Sequence, residues 1–168
     1  MTKKVIFSNK WIKLIEKEIS VGNKKLKYYL VDKPDYVAIA PVYKNKVLIL
    51  WQKRYGANKV IKNIPMGILS EGESPKVAVQ RELFEETGIH VSRKEIVSLG
   101  SSHVSPSFTT IKCYLYMVKC RNNKTALISD IEEKHEIVKT EWIDIKKLES
   151  ADDIDMTTRL AIAMINKK

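Results

Sequence analysis

The sequence has few cysteines, few glycines and no long hydrophobic run. Only two of its 168 residues are cysteines, Cys113 and Cys120, and their odd spacing in a strand-like segment places them on opposite faces. This excludes a local disulfide or a zinc knuckle and predicts two reduced thiols. The longest apolar runs, 37–43 and 47–51, are far shorter than the roughly 20 residues that span a bilayer, so no membrane segment is expected.

The N-terminal segment and the overall composition indicate a globular cytoplasmic protein. Residues 1–11 contain no apolar stretch of the about 7–15 residues found in a secretory signal, which agrees with reduced thiols. A content of 44% apolar and 30% charged residues excludes disorder and collagen-like repeats. The length suits one domain over residues 1–168.

Charge of one sign is in excess, because the formal net charge is +10. One interpretation is a solvated, lysine-rich surface. The other is attraction of a polyanion, which could be nucleic acid or a small molecule that carries phosphates. Composition does not choose between them.

Apolar runs separated by turn residues predict a strand-rich chain. Two runs around Gly22-Asn23 predict a β-hairpin over 11–31, which divides the chain into an N-terminal hairpin region (1–35) and a core (36–168). Further strands are predicted over residues 36–43, 46–53, 60–64, 111–119 and 138–145.

Two helices complete the expected fold. Ser74 is a suitable N-cap, Pro75 suits the first helical position, and Gly88 is the expected stop. A second helix is predicted over 155–168. The fold class is therefore α+β, with a mixed sheet between helices.

The helix over 74–87 carries a cluster of carboxylates. At about 100° per residue, Glu82, Glu85 and Glu86 fall within an arc of about 100°. Like charges at i,i+4 repel by roughly 0.2–0.5 kcal/mol, and Arg81 can neutralise only one carboxylate, that of Glu85. A hard divalent cation, Mg²⁺ or Mn²⁺, would neutralise the rest. The alternative is a solvated acidic face. The apolar side chains expected to pack on the sheet are Val77, Val79, Leu83 and Phe84.

The carboxylates belong to a longer pattern. From residue 67 the chain reads GILSEGESPKVAVQRELFEETGI, which resembles the signature box of the Nudix hydrolases without a mismatch. Such a coincidence at seven fixed positions has a probability of about one in 10⁸ at a given start. The fixed positions are Gly67, Glu73, Arg81-Glu82, Glu85-Glu86 and Gly88.

This resemblance implies an α/β/α sandwich and hydrolysis of a nucleoside diphosphate linked to another group. It implies that Glu82, Glu85 and Glu86, with the backbone carbonyl of Met66, hold the metal, and that Arg81 belongs to the catalytic set. Structural roles are expected at three further box positions. Gly67 allows a tight turn, Glu73 pairs with Arg81, and Gly88 ends the helix in a left-handed turn.

Segments outside the box resemble the ADP-ribose and ADP-sugar pyrophosphatases. Gln52 and Arg54 match upstream, as do Ile64-Pro65 before Gly67, and Ser105-Pro106 matches downstream. Arg54, Ser105 and Pro106 are therefore the expected substrate-binding residues. The chain departs from this pattern at Asn63, Met66 and Ile111, where the subfamily has an acidic residue, an alanine and a glutamate.

The general base is expected from a loop, since the metal ligands have their lone pairs occupied. Glu136 aligns with the loop glutamate of the subfamily and is the first choice, Glu133 is the second, and Glu85 remains if neither acts. The resemblance also implies a homodimer formed through the N-terminal strands. Two other functions stay open: a Nudix enzyme acting on RNA 5′ ends, and a non-catalytic nucleotide-binding module.

Overall fold

The protein is described by a computed structural model that covers residues 2–125 and 136–167. Its N-terminal part is a three-stranded antiparallel sheet in the order β1-β2-β3. The turn between the second and third strands contains Gly22 at φ 59°, as the hairpin prediction requires. The prediction was wrong in one respect, because residues 3–8 add a strand to the hairpin. The strands are β1 (Lys3–Ser8), β2 (Lys13–Val21) and β3 (Lys24–Asp32).

A seven-stranded mixed sheet forms the rest of the β-structure. Its main path is β10-β5-β4-β9-β8, in which β4 and β9 run parallel, while β6 pairs with β5 and β7 pairs with β4. The strands are β4 (Tyr36–Tyr43), β5 (Lys46–Arg54), β6 (Lys59–Asn63), β7 (Met66–Ile68), β8 (Ile96–His103), β9 (Lys112–Lys119) and β10 (Ile137–Asp144).

Helices cover both faces of this sheet. Helix α1 (Pro75–Thr87) packs on one face, while α2 (Ile145–Glu149) and α3 (Met156–Ile165) pack on the other. Side chains of β4 alternate between two cores, since Val37 faces α1 and Ala38 faces α2 and α3. The expected α+β sandwich around a mixed sheet is confirmed, and α2 is a helix that the sequence pattern did not predict.

The two sheets are joined through strand β3. The N–H of Val31 donates to the carbonyl of Phe108 at 2.9 Å, and the N–H of Thr110 donates to the carbonyl of Val31 at 3.3 Å. The Thr110 hydroxyl also donates to the carboxylate of Asp32 at 2.5 Å. The N-terminal sheet thus lies against the loop between β8 and β9. Within the described ranges, no helix has the length and apolarity needed to cross a membrane.

Candidate active site

Helix α1 begins and ends close to the predicted residues. Gly88 adopts φ 70° and its N–H donates to the carbonyl of Phe84 at 2.8 Å, which confirms the left-handed stop. Ser74 occupies the N-cap position, but its side chain makes no capping hydrogen bond. The expected side-chain cap was therefore wrong, and the carbonyl of Ser74 instead accepts from Val77 and Ala78 in the first turn.

The packing face of α1 differs from the expected one. Ala78, Val79 and Leu83 are fully buried against the sheet. Phe84 was expected there, but it is 37% exposed, and its ring lies 4.1 Å from that of His90, centroid to centroid. The residue next in sequence to Leu83 points about 100° further round the helix, which carries Phe84 away from the sheet.

Glu82 is buried against strand β7, although it carries a charge. Its side chain packs on Gly67, where an added Cβ would lie 1.8 Å from the carboxyl carbon of Glu82. Gly67 has no positive φ and pairs with Val37 as part of a strand, so the predicted tight turn was wrong. The position is occupied by glycine because the Glu82 carboxylate fills the space of a side chain.

Arg81 is the centre of an ion-pair cluster. Its guanidinium donates to Glu73 through Nε at 2.9 Å and Nη2 at 2.7 Å, which agrees with the predicted pair. Nη1 donates to Glu82 at 2.6 Å and to Glu85 at 3.2 Å. Arg81 therefore contacts Glu82 as well as the expected Glu73 and Glu85, while its single positive charge still balances only one carboxylate.

The cluster shifts the titration of its members. Hydrogen bonds from Arg81 hold the pKa of Glu73 below its usual value. In turn, the carboxylates of Glu73 and, to a lesser extent, Glu82 raise the pKa of Arg81, so the guanidinium remains charged. Nη2 of Arg81 also donates to the carbonyl of Ile68 at 2.9 Å, which ties the cluster to strand β7.

Glu86 is held separately from Arg81. Its carboxylate accepts from the backbone N–H of Met66 at 3.0 Å. The box carboxylates thus lie along one side of α1 next to β7, where the sequence expects a metal. Among the residues that the structure describes, no three His, Cys, Asp or Glu side chains already form a metal cage.

The donor set nevertheless fits a hard divalent cation. Glu82, Glu85 and Glu86 offer only oxygen ligands, and Gly67 leaves room for the buried carboxylate. Two of the three carboxylates accept from Arg81 and one accepts from the N–H of Met66, and each of these contacts engages one carboxylate oxygen.

A second polar cluster lies where β5 ends and β10 begins. Arg54 donates through Nη2 to the side-chain oxygen of Gln52 at 2.7 Å, and its Nη1 lies 3.5 Å from a carboxylate oxygen of Glu136. The structure thus brings a predicted substrate-binding residue and a predicted base together. The sequence analysis missed this pair. It results from the antiparallel pairing of β5 and β10, in which Ile137 lies opposite Gln52 and Glu136 therefore lies near Arg54. Glu133 lies outside the described residues.

Ser105 and Pro106 form an exposed turn between β8 and β9. Ser105 adopts φ 48°, and its carbonyl accepts from the N–H groups of Phe108 and Thr109 at 2.8 and 2.9 Å. The hydroxyl of Tyr28 donates to the carbonyl of Ser107. The hydrogen bonds described for this loop are therefore to itself and to the N-terminal sheet, while Val104 packs against the core of the mixed sheet.

The fold and the box define the class of protein. The family model for the NUDIX domain matches residues 33–162. The chain belongs to this family, whose members generally use a divalent cation. The match begins just before β4 and therefore covers the mixed sheet, α1, α2 and the first part of α3.

Individual relatives are similar over different lengths. The chain is 28% identical to an ADP-ribose pyrophosphatase of Bacillus subtilis over all of this chain and 92% of that protein. It is 35% identical to a methanol dehydrogenase activator of Bacillus methanolicus, over 71% of this chain and 64% of that protein. It is 44% identical to an RNA pyrophosphohydrolase of Proteus mirabilis, over only 32% of this chain and 28% of that protein.

The fold also resembles a solved structure. The crystal structure of an ADP compounds hydrolase superposes with a TM-score of 0.83 over 99% of this chain and 91% of that chain. Its sequence identity is 15%, so this likeness supports the fold alone.

Proposed function

We propose that the protein hydrolyses the diphosphate bond of a nucleoside diphosphate derivative, either ADP-ribose or a related nucleotide sugar. The products would be a nucleoside monophosphate and a sugar phosphate. The observation that carries this proposal is the row of box carboxylates on α1, held against β7 by Arg81 and Met66. Full-length similarity to an ADP-ribose pyrophosphatase supports the choice of substrate.

We assign the cation to Glu82, Glu85 and Glu86, with the Met66 carbonyl as a further ligand, and we propose Mg²⁺ as the ion, with Mn²⁺ as a substitute. When bound, the cation offsets diphosphate charge and makes a water molecule more acidic. Arg81 orients two of these carboxylates, and Glu73 in turn orients Arg81.

Variants of the proposed metal ligands test this assignment, since they should lose activity but remain folded. Glu82→Gln or Glu86→Gln should lower turnover by roughly 10²-fold or more, because the amide keeps the shape and removes the charge. Glu71→Gln is a matched control in the exposed loop before α1 and should leave turnover near normal. Full turnover in excess chelator, or by either site variant, would contradict the metal assignment.

For substrate binding and proton abstraction we propose Arg54 and Glu136. Their contact of 3.5 Å is long for a charged hydrogen bond, so a substrate phosphate can compete for Arg54 and release Glu136. Ser105 and Pro106 are assigned to the substrate side on resemblance alone.

Kinetics of two variants distinguish the candidate bases. Replacing the correct glutamate should lower kcat by roughly 10²–10⁴-fold with little change in KM. Glu136→Gln is tested first and Glu133→Gln second. If both keep a near-normal kcat, the base is Glu85.

Hydrolysis at RNA 5′ ends remains the second candidate, favoured by the net charge of +10. Similarity to the RNA pyrophosphohydrolase spans a third of the chain, whereas similarity to the ADP-ribose pyrophosphatase spans all of it. Turnover of an RNA substrate that contacts many phosphates would weaken steeply with salt, unlike that of a nucleotide sugar. A non-catalytic module is disfavoured, because a binder has no need of crowded carboxylates.

We also propose a cytoplasmic homodimer of single-domain chains that pair through the N-terminal sheet. Both cysteines are free, in keeping with that compartment. Apolar side chains of the sheet are exposed, including Leu26 at 47%. Light scattering should give twice the 19.3 kDa of one chain. Leu26→Asp should halve this mass, and Met156→Asp, at an exposed site on α3, should not.

A further inference from the structure

A cavity of about 510 Å³ lies at the C-terminal end of α1, away from the carboxylate cluster. One wall is the segment that follows the helix, from Gly88 to Ser92, and the other is the end of β9 with the turn after it. Its size is within the range of roughly 300–1,000 Å³ typical of small-molecule sites. Neither the box carboxylates nor Arg54 lines it.

The rim of this cavity is basic. Lys119, Arg121 and Lys124 line it, and among the described residues of the lining Glu95 is the only carboxylate. Glu95 already accepts hydrogen bonds from the Ser92 N–H and from Arg121 Nε, both at 2.8 Å. Within the described residues, Lys119 and Lys124 have no carboxylate partner. Both of these ammonium groups can pair with an anion in the cavity.

The wall formed by residues 88–92 is apolar and aromatic. Ile89 and Val91, together with Cys120 from the other wall, are half-buried against the core beneath α1. The ring of His90 lines the cavity and stacks on Phe84 at 4.1 Å with a tilt of 31°. An apolar surface that includes a flat ring suits a planar heterocycle, which can pack on this wall while the lysines of the other wall contact the charged part of the ligand.

The two walls fix how a ligand would lie. The carbonyl end of a helix disfavours negative charge by roughly 0.3–1 kcal/mol, so the Gly88 end is the less favourable place for the phosphate. It belongs on the lysine side, and the uncharged part of the ligand belongs on the side of residues 89–91. We propose that this cavity is a second binding site for a phosphorylated small molecule of mononucleotide size, held by Lys119 and Lys124 and by the His90 wall.

Nuclear magnetic resonance of the full chain tests this site directly. AMP is the probe, because it combines a phosphate with a planar base, and EDTA keeps divalent cations off the α1 carboxylates. Saturable amide shifts are expected at residues 88–92 and 119–124. The measurement is of binding, so its failure leaves the proposed hydrolysis untouched, and loss of hydrolysis leaves this site untouched.

Charge-matched variants sharpen the result. Lys119→Glu/Lys124→Glu should weaken AMP binding by about tenfold or more. Lys146→Glu/Lys147→Glu makes the same change of net charge on exposed positions of α2 and should leave the affinity almost unchanged. The amide spectra of both variants establish that they are folded.

Four outcomes would overturn the proposal. The first is that AMP shifts only the amides of residues 66–86. The second is that both double-lysine variants lose the same affinity for AMP. The third is that inorganic phosphate binds as tightly as AMP, because the aromatic wall would then have no role. The fourth is a single-stranded RNA that binds far more tightly than AMP with a steep salt dependence, since the rim would then be a nucleic-acid contact.

Discussion

The two sheets of this protein use similar residue types in opposite ways. In the mixed sheet, Val37, Ile39 and Ala40 are fully buried because helices cover both faces. In the N-terminal sheet, Val5 and Phe7 are 51% and 50% exposed. The difference lies in the second layer rather than in the strands. Helices of the same chain cover the mixed sheet, whereas the proposed homodimer would cover the N-terminal sheet.

Charge is also distributed differently in the two regions. Near β7, three carboxylates contact one guanidinium, that of Arg81. In the N-terminal sheet, separate exposed pairs join Lys27 to Glu16 and Lys25 to Glu18. Like charges held close together lower the stability of the fold, which is typical of a binding or catalytic site. Dispersed, exposed ion pairs contribute little to stability.

The largest expected effect is on stability. Leu83→Ala, at a fully buried position of α1, should lower the free energy of unfolding by about 2–5 kcal/mol. Leu26→Ala, at an exposed position of β3, should lower it by less than about 0.5 kcal/mol in the monomer. Urea unfolding at low protein concentration measures both. Equal losses would show that the N-terminal sheet is already covered within one chain.

The next effect is on activity at the mixed sheet. Gly67→Ala places a Cβ 1.8 Å from the Glu82 carboxyl carbon, so the carboxylate must move by about 1 Å or more, which should lower kcat by roughly 10²-fold. Gly56→Ala is the matched control, because an added Cβ there meets nothing within 4 Å. Steady-state kinetics on ADP-ribose compare the two variants. Near-normal turnover by Gly67→Ala would mean that catalysis does not depend on the position of the Glu82 carboxylate.

Local patterns in the sequence predicted the elements that depend on local physics. Pro75 and Gly88 bound α1 as expected, and the Gly22 turn lies where the hairpin requires it. Short elements were missed: β1 has lysines and apolar residues without a clear alternation, and α2 has only five residues. Neither pattern is long enough to show a period.

Contacts between distant segments could not be predicted from spacing. The reason for glycine at position 67 is a carboxylate fifteen positions further along the chain, on another element. The Arg54–Glu136 pair depends on the register of β5 and β10. Phe84 belongs to the apolar pattern of α1 but stacks on His90 beyond the helix end. Each of these requires the tertiary arrangement, which residue types alone do not specify.

The smallest expected effect is on the pH dependence of the free energy of unfolding. It is tested with one carboxylate from each region, Glu73 and Glu16. Hydrogen bonds lower the pKa of both, from Arg81 for Glu73 and from Tyr29, then Lys27, for Glu16. A lowered pKa in the folded state adds stability above the unfolded value near 4.5, and this is lost as pH falls through the folded pKa. The stability deficit of Glu73→Gln at about pH 6 should therefore shrink towards pH 3.

Urea unfolding in EDTA across that range measures the deficit, and Glu16→Gln provides the comparison. Because the Glu16 contacts are exposed, its deficit should be smaller and should vanish in about 0.5 M NaCl. The Glu73 deficit should persist in salt, since Arg81 holds that carboxylate through two short hydrogen bonds in a half-buried cluster. If the Glu73→Gln curve ran parallel to the wild type at every pH, Arg81 would not couple Glu73 to folding, and the two regions would not differ in their electrostatics.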